Sequence, residues 1–162
     1  MLTEICGYLK NWFVKQQCYG DFVIADGVIT YADGSELPLQ PGQFFCCVGS
    51  VFNDAVHIKP SLGDAEADNP VDKSALAYPL VDESFSGSVK CMAVPPDLIN
   101  VAFEIKAWTE KYGGADSPAK SPYNSESFGG YSYSKSSGSG ADASAGSWQG
   151  VFAGNLNRYR KL

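Results

Sequence analysis

Phe22-Val23-Ile24-Ala25-Asp26-Gly27-Val28-Ile29-Thr30 sets two apolar, β-branched runs on either side of an Asp-Gly pair. Asp-Gly between such runs is a strong tight-turn signal, because glycine takes a positive φ at no steric cost. The stretch predicts a β-hairpin over residues 21–31. A second turn pair, Asp33-Gly34, follows, and Leu37-Pro38-Leu39-Gln40-Pro41-Gly42 reads as an irregular connection.

Further along, Gln43 to Phe52 is the most apolar stretch of the chain and is strand-like, rich in β-branched and aromatic residues. Asn53-Asp54 marks a turn, and Ala55-Val56-His57-Ile58 reads as the return strand, ended by Pro60. Residues 61–79 are polar and turn-rich and read as an exposed loop. Ser88 to Val94 is a weaker strand entered through Ser86-Gly87.

Helical signals flank this β-rich middle. Leu2, Ile5, Leu9, Trp12 and Phe13 fall at helical spacing and predict a helix near 2–16. Pro95-Pro96-Asp97 opens a second helix, near 96–112. Its stripe is Leu98, Val101, Ala102, Ile105, Trp108 and Tyr112, and Gly113-Gly114 stops it. Trp148, Val151, Phe152, Leu156 and Tyr159 recur behind Ser147 and predict a third helix, near 147–160. Residues 113–147 are dense in Gly, Ser, Ala and Tyr and read as an extended arm. The expected fold class is α+β: a small helical bundle with a central β-hairpin or sheet insertion over 20–94 and a Gly/Ser/Tyr-rich arm. All of it forms one domain, 1–162, closed by a C-terminal helix and basic tip over 148–162.

Composition limits the function classes. The 162 residues carry a formal net charge of −6 and a pI near 4.6, so the chain is not built to wrap nucleic acid through counterion release. The acidity is local. Residues 1–97 hold 5 basic and 13 acidic side chains, residues 98–162 hold 7 and 5, and the chain ends Arg158-Tyr159-Arg160-Lys161-Leu162. That asymmetry points to two ends with different partners. No run approaches the roughly 20 apolar residues of a membrane span. The N-terminus shows no secretory pattern, so the chain is expected to be made and used in the cytosol, with its thiols reduced.

Candidate chemistry is sparse. The five cysteines, Cys6, Cys18, Cys46, Cys47 and Cys91, include no CxxC pair, and His57 is the only histidine. Cys46 and Cys47 would point to opposite faces of a strand. They read as buried small hydrophobes, with a Cys46 or Cys47 nucleophile beside His57 as the enzymatic alternative. Asp82-Glu83 and the acidic run Asp64 to Asp68 read as solvated loop charges. No phosphate loop, nucleophile elbow or zinc spacing occurs, so no catalytic, cofactor-binding or metal residues are expected. The aromatic cluster Tyr123, Phe128, Tyr131 and Tyr133 suits a protein interface, or alternatively a β-rich ligand- or carbohydrate-binding module with aromatic platforms.

Two segments carry a family resemblance. One is Ser125-Glu126-Ser127-Phe128-Gly129-Gly130-Tyr131-Ser132-Tyr133, and the other is Leu156-Asn157-Arg158-Tyr159-Arg160-Lys161. With the helix order, and covering residues 95–162 and the first helix, the chain resembles the head–tail connector (adaptor) proteins of tailed bacteriophages. Many of those carry a Ser-Glu-Ser-x-Gly-(Gly or Asp)-Tyr-Ser segment between their last two helices and a Leu-x-x-Tyr-Arg-(Arg or Lys) end. The β-rich 20–94 region departs from that family, which is mostly helical there.

The resemblance implies a structural virion protein at the neck, assembled in the bacterial host cytoplasm. It implies a homo-oligomeric ring of twelve copies beneath the portal protein, docking a stopper or tail-completion protein and extending the DNA channel. Double-stranded DNA would pass through the lumen without specific binding. On this analogy Trp148, Phe152, Leu156, Arg158, Tyr159, Arg160 and Lys161 face the portal. Tyr123, Glu126, Phe128, Gly129, Gly130, Tyr131 and Tyr133 lie between subunits. Another neck or tail-completion protein is the near alternative.

Overall fold

The computed structural model describes residues 1–60, 72–113, 125–128, 131–134 and 147–161. Helix α1 (Leu2–Leu9) leads into a long strand, β1 (Val14–Ala25), followed by β2 (Val28–Tyr31), β3 (Phe44–Val48), β4 (Val56–Ile58) and β5 (Glu83–Met92). Helix α2 (Pro96–Tyr112) follows, then strands β6 (Ser125–Phe128) and β7 (Tyr131–Ser134), and two single turns of helix, α3 (Trp148–Val151) and α4 (Ala153–Leu156).

The first five strands form one antiparallel sheet in the order β2-β1-β5-β3-β4. The hairpin read from the sequence is present. Ala25 pairs with Val28 across a two-residue turn in which Asp26 (φ 52°) and Gly27 (φ 74°) are both left-handed. That geometry matches the twist of the flanking strands. The centre of the sheet is a long-range pairing: β1 runs against β5 from Val14↔Met92 to Ile24↔Glu83.

The sheet is covered on both faces. On one, Phe44, Cys46, Val56 and Met92 pack with Leu2, Ile5, Cys6 and Leu9 of α1, Leu98, Val101, Ala102 and Ile105 of α2, and Leu156 of α4. On the other, the sheet curls over its own core of Cys18, Phe22, Ile24, Ile29, Phe45, Phe85, Val89 and Cys91, closed by Leu37 and Leu39 of the irregular connection. Alternation along β3 sends Phe44 and Cys46 to the helix side and Phe45 and Cys47 to the curled side. The α+β class holds. A helical bundle is not shown: the helical segments lie against the sheet, which feeds both cores.

Several element bounds differ from the sequence reading. The first helix ends at Leu9 instead of near 16. Lys10 takes a left-handed conformation (φ 51°), and the Lys10 and Asn11 N–H groups close on Gly7 O and Cys6 O, a capping pattern that terminates a helix. Trp12 and Phe13 still pack against the helix-side core, but from non-helical backbone, and the Phe13 carbonyl accepts from Ala93 N. Their helical spacing from Leu9 was a coincidence that β1–β5 pairing overrides. The helix expected over 147–160 is broken at Phe152 into α3 and α4, with a 3-10 turn at Asn157–Tyr159. Gly150 and Gly154 weaken it, as glycine does in any helix.

The expected loop 61–79 is partly structured. Asp72 caps a 3-10 turn at Lys73–Leu76, and Leu76 is fully buried; residues 61–71 lie outside the described residues. Within the expected extended arm, β6 and β7 instead pair as a separate two-stranded antiparallel ribbon.

Candidate interaction surfaces

The C-terminal segment lies against α1. Trp148 meets Tyr8 edge-on at 5.5 Å between ring centroids, and Tyr159 meets Phe13 at 6.4 Å. Asn11 Nδ2 donates to Tyr159 O at 2.9 Å, and Lys161 N donates to Leu9 O at 3.2 Å. Of the residues read as portal-facing, Leu156 is fully buried and belongs to the core, so it is withdrawn from any docking surface. Trp148, Phe152 and Tyr159 are half-buried against the same core.

The cations remain outside. Arg158 lies over the Tyr159 ring at 4.7 Å and pairs loosely with Asp97 at 3.7 Å, while Arg160 covers Tyr8 at 5.1 Å. Such exposed pairs add little stability and leave the charge available. Lys161 is exposed as well. The surface these side chains form is basic and aromatic, on a chain that is acidic as a whole.

The residues read as inter-subunit divide. Tyr123, Gly129 and Gly130 lie outside the described residues. Glu126, Phe128, Tyr131 and Tyr133 fall in the ribbon, where Glu126 pairs with Tyr133 and Phe128 with Tyr131.

A third surface was not legible in the sequence. The chain between β3 and β4 forms a tip on which Val51 is 75% and Phe52 65% exposed. Glu83, at the start of β5, holds this tip. Its carboxylate accepts from the Ser50 hydroxyl, from Val51 N at 2.8 Å, from Phe52 N at 3.3 Å and from Asn53 Nδ2 at 3.0 Å. The Ser50 hydroxyl and the Val51 N–H are the leading reasons the Glu83 pKa is held down to about 2. Glu83 is therefore a clamp, not the solvated loop charge expected of Asp82-Glu83.

Asn53 completes the tip from inside. It is fully buried, donates to Val81 O at 3.0 Å and accepts from Val81 N at 2.8 Å. The close approach of β5 to the tip requires glycine on both sides. A Cβ on Gly87 would stand 2.0 Å from Val48 O, and one on Gly49 (φ 100°) 2.6 Å from Ser86 O. Beside the tip is an open pocket of about 420 Å³ lined by Phe52, Tyr78, Val81, Thr3 and Asp54 among others. Tyr78 (44% exposed) and Val81 (48%) extend the apolar surface, and Tyr78 OH donates to Glu4 at 2.8 Å.

The thiol alternative meets an unfavourable environment. All five cysteines are buried, and burial pushes Cys6 and Cys47 up to about 12. Cys46 projects to the face opposite Cys47, and burial raises it as well. His57 is buried, and that burial lowers its pKa; its Nδ1 is 2.9 Å from Tyr78 O, and Nε2 has no hydrogen-bond partner. A nucleophilic cysteine needs the opposite, a depressed pKa and access. Among the described residues no group of three or more His, Cys, Asp or Glu is placed to hold a metal ion, and no helix is long and apolar enough to cross a membrane.

Comparison of the chain with protein-family models, with curated proteins and with solved structures finds no match.

Proposed function

We propose that the chain is a non-enzymatic structural subunit of a tailed-phage neck. Copies form a ring that joins the portal to the stopper or tail and extends the DNA channel. The observation that carries this reading is the Ser125–Tyr133 segment, which bears the connector resemblance and pairs as a ribbon apart from the five-stranded sheet. A two-stranded ribbon with four residues per strand is marginal alone and gains stability when another surface covers it. A subunit completed by its neighbours has that character.

The basic, aromatic C-terminal surface supports a second, distinct contact. Arg158, Arg160 and Lys161 stay exposed while the segment beneath them is fixed by Leu156 and by hydrogen bonds to Leu9 at the end of α1 and to Asn11 just after it. They form a charged patch on a rigid support and suit an acidic partner ring, here assigned to the portal. The net charge of −6 suits a wall that does not grip passing phosphates.

Mass measurement of the purified protein, alone and mixed with its cognate portal, tests the reading. A discrete homo-oligomer that adds to the portal is expected. A protein that stays monomeric in both conditions and does not bind the portal overturns it.

A further inference from the structure

We infer that copies of this chain associate end to end, the acidic end of the sheet around the β1–β2 turn meeting the basic end where β1 starts. The inference rests on the homo-oligomeric reading above and specifies the contact that builds the oligomer.

The two ends are those of one strand. β1 has 12 residues, so at about 3.3 Å per residue its termini lie roughly 36 Å apart. That exceeds a Debye length of about 8 Å at physiological salt, so neither end neutralises the other within a copy. At the far end, Asp26 sits in the turn and its N–H donates to the Asp82 carboxylate at 3.1 Å. Glu36 is bridged to Thr30 of β2, Ala32 N donates to Asp21 O, and Asp33 follows in the next turn. All five of these acidic residues are exposed. No Lys or Arg occurs in residues 16–58 or 74–89, so the strands and turns that form this end bring no cation to it.

The near end is the reverse. Lys15 lies in β1, and Lys10 caps α1. The C-terminal segment adds three more cations. Lys161 N donates to Leu9 O, Arg160 covers Tyr8, and Arg158 covers Tyr159, whose ring meets Phe13 just before β1. All five are exposed, and neither residues 5–20 nor residues 147–162 contain Asp or Glu. Asp97, 3.7 Å from Arg158, offsets one of them. Each end also exposes a valine, Val28 among the carboxylates and Val14 beside Lys15, for apolar contact within a charged rim.

Opposite charge at opposite ends orients copies head to tail and disfavours the meeting of like ends. Lys10 and Lys15 are assigned to the neighbouring copy. Arg158, Arg160 and Lys161, from the C-terminal segment, keep the portal. The contact is heterologous, and its repetition produces a closed ring when the rotation closes.

Charge reversal in the full chain provides the test, read by mass measurement at low salt. Lys10→Glu with Lys15→Glu places two carboxylates at the basic end. Glu36→Lys with Asp82→Lys places two ammonium groups at the acidic end. Either double variant alone should associate at least tenfold more weakly than wild type. NaCl at about 1 M, which shortens the screening length to about 3 Å, should weaken the wild type in the same way. An equimolar mixture of the two variants should recover the association, because each altered end then finds its complement. Recovery by mixing also shows that both variants fold.

Wild-type oligomers that persist in high salt and tolerate both reversals overturn the inference and leave the homo-oligomeric reading standing. Loss in each variant without recovery in the mixture also overturns the inference. A wild-type chain that is monomeric at low salt overturns both. Recovery by mixing in a protein that never joins the portal supports the inference and removes the neck reading.

Discussion

Replacing Leu156 by alanine separates a core role from a docking role for the end of the chain. Leu156 is fully buried on the helix side of the sheet, in the cluster that includes Leu2, Ile5, Leu9 and Leu98. Truncation removes the transfer free energy of the lost carbons and leaves a cavity the neighbours fill only in part. Buried leucine-to-alanine changes cost about 2–5 kcal/mol. Against a total stability of about 5–15 kcal/mol, that is a large share. For a chain of this size each kcal/mol moves the Tm by about 2–4 °C, so about 3 kcal/mol lowers it by roughly 6–12 °C. Thermal unfolding followed by circular dichroism reads this directly.

The control is Arg160→Ala. It removes an exposed cation from the Tyr8 ring and should shift the Tm by less than about 2 °C. If Leu156→Ala leaves the Tm unchanged but abolishes portal binding, Leu156 is a docking residue and its placement in the core is wrong. The same burial means that deleting residues 156–162 removes part of the fold. The clean test of the basic patch is therefore Arg158→Ala, Arg160→Ala and Lys161→Ala together, which should preserve the Tm and weaken portal binding.

Other consequences can be measured on the isolated protein. Gly87→Ala puts a Cβ 2.0 Å from Val48 O and should destabilise by at least about 2 kcal/mol in urea titration. Gly154→Ala meets nothing within 4 Å and should gain about 0.5 kcal/mol. The depressed Glu83 pKa makes its contribution present above the unfolded carboxylate value near 4.5 and lost as pH falls toward about 2. Thermal scans should then show Glu83→Gln less stable than wild type at pH 7, with the gap closing between about pH 4.5 and 2. A gap that persists at pH 2 refutes the clamp. His57 is kept neutral by burial, so protonation of the unfolded chain should begin to lower stability below about pH 6.5, an effect absent in a stable His57→Gln variant. With pKa values near 12, Cys6 and Cys47 hold about 10⁻⁵ of their thiols as thiolate at pH 7, so a thiol reagent should label them only after unfolding. Rapid labelling of Cys47 in the native protein contradicts that placement.

The sequence revealed what is local. Asp26-Gly27 sets its own hairpin turn, and α2 carries its start in Pro96 and its stop in Gly113. The end of α1 was hidden because Trp12 and Phe13 keep a helical period, while the pairing that claims the following residues, Val14 with Met92, lies far off in the sequence. The clamp was hidden for the same reason: Glu83 is about thirty residues from every donor it holds, so no spacing rule could join them. The ribbon is a different case. Ser125-Glu126-Ser127-Phe128 and Tyr131-Ser132-Tyr133-Ser134 alternate with a strand period, but the surrounding Gly and Ser give the whole segment the composition of a linker. Leu156 shows the converse limit. Its helical spacing marked it as apolar and facing something, and only the fold identifies that partner as the chain's own core.

The most direct measurement for the proposed neck role takes antibodies against the chain and looks by electron microscopy for labelled tailed-phage particles in lysates of cells that produce it. Label confined to the junction between head and tail is the expected result. Virions that carry no copy of the chain, or label on the capsid surface or the tail tip, contradict it.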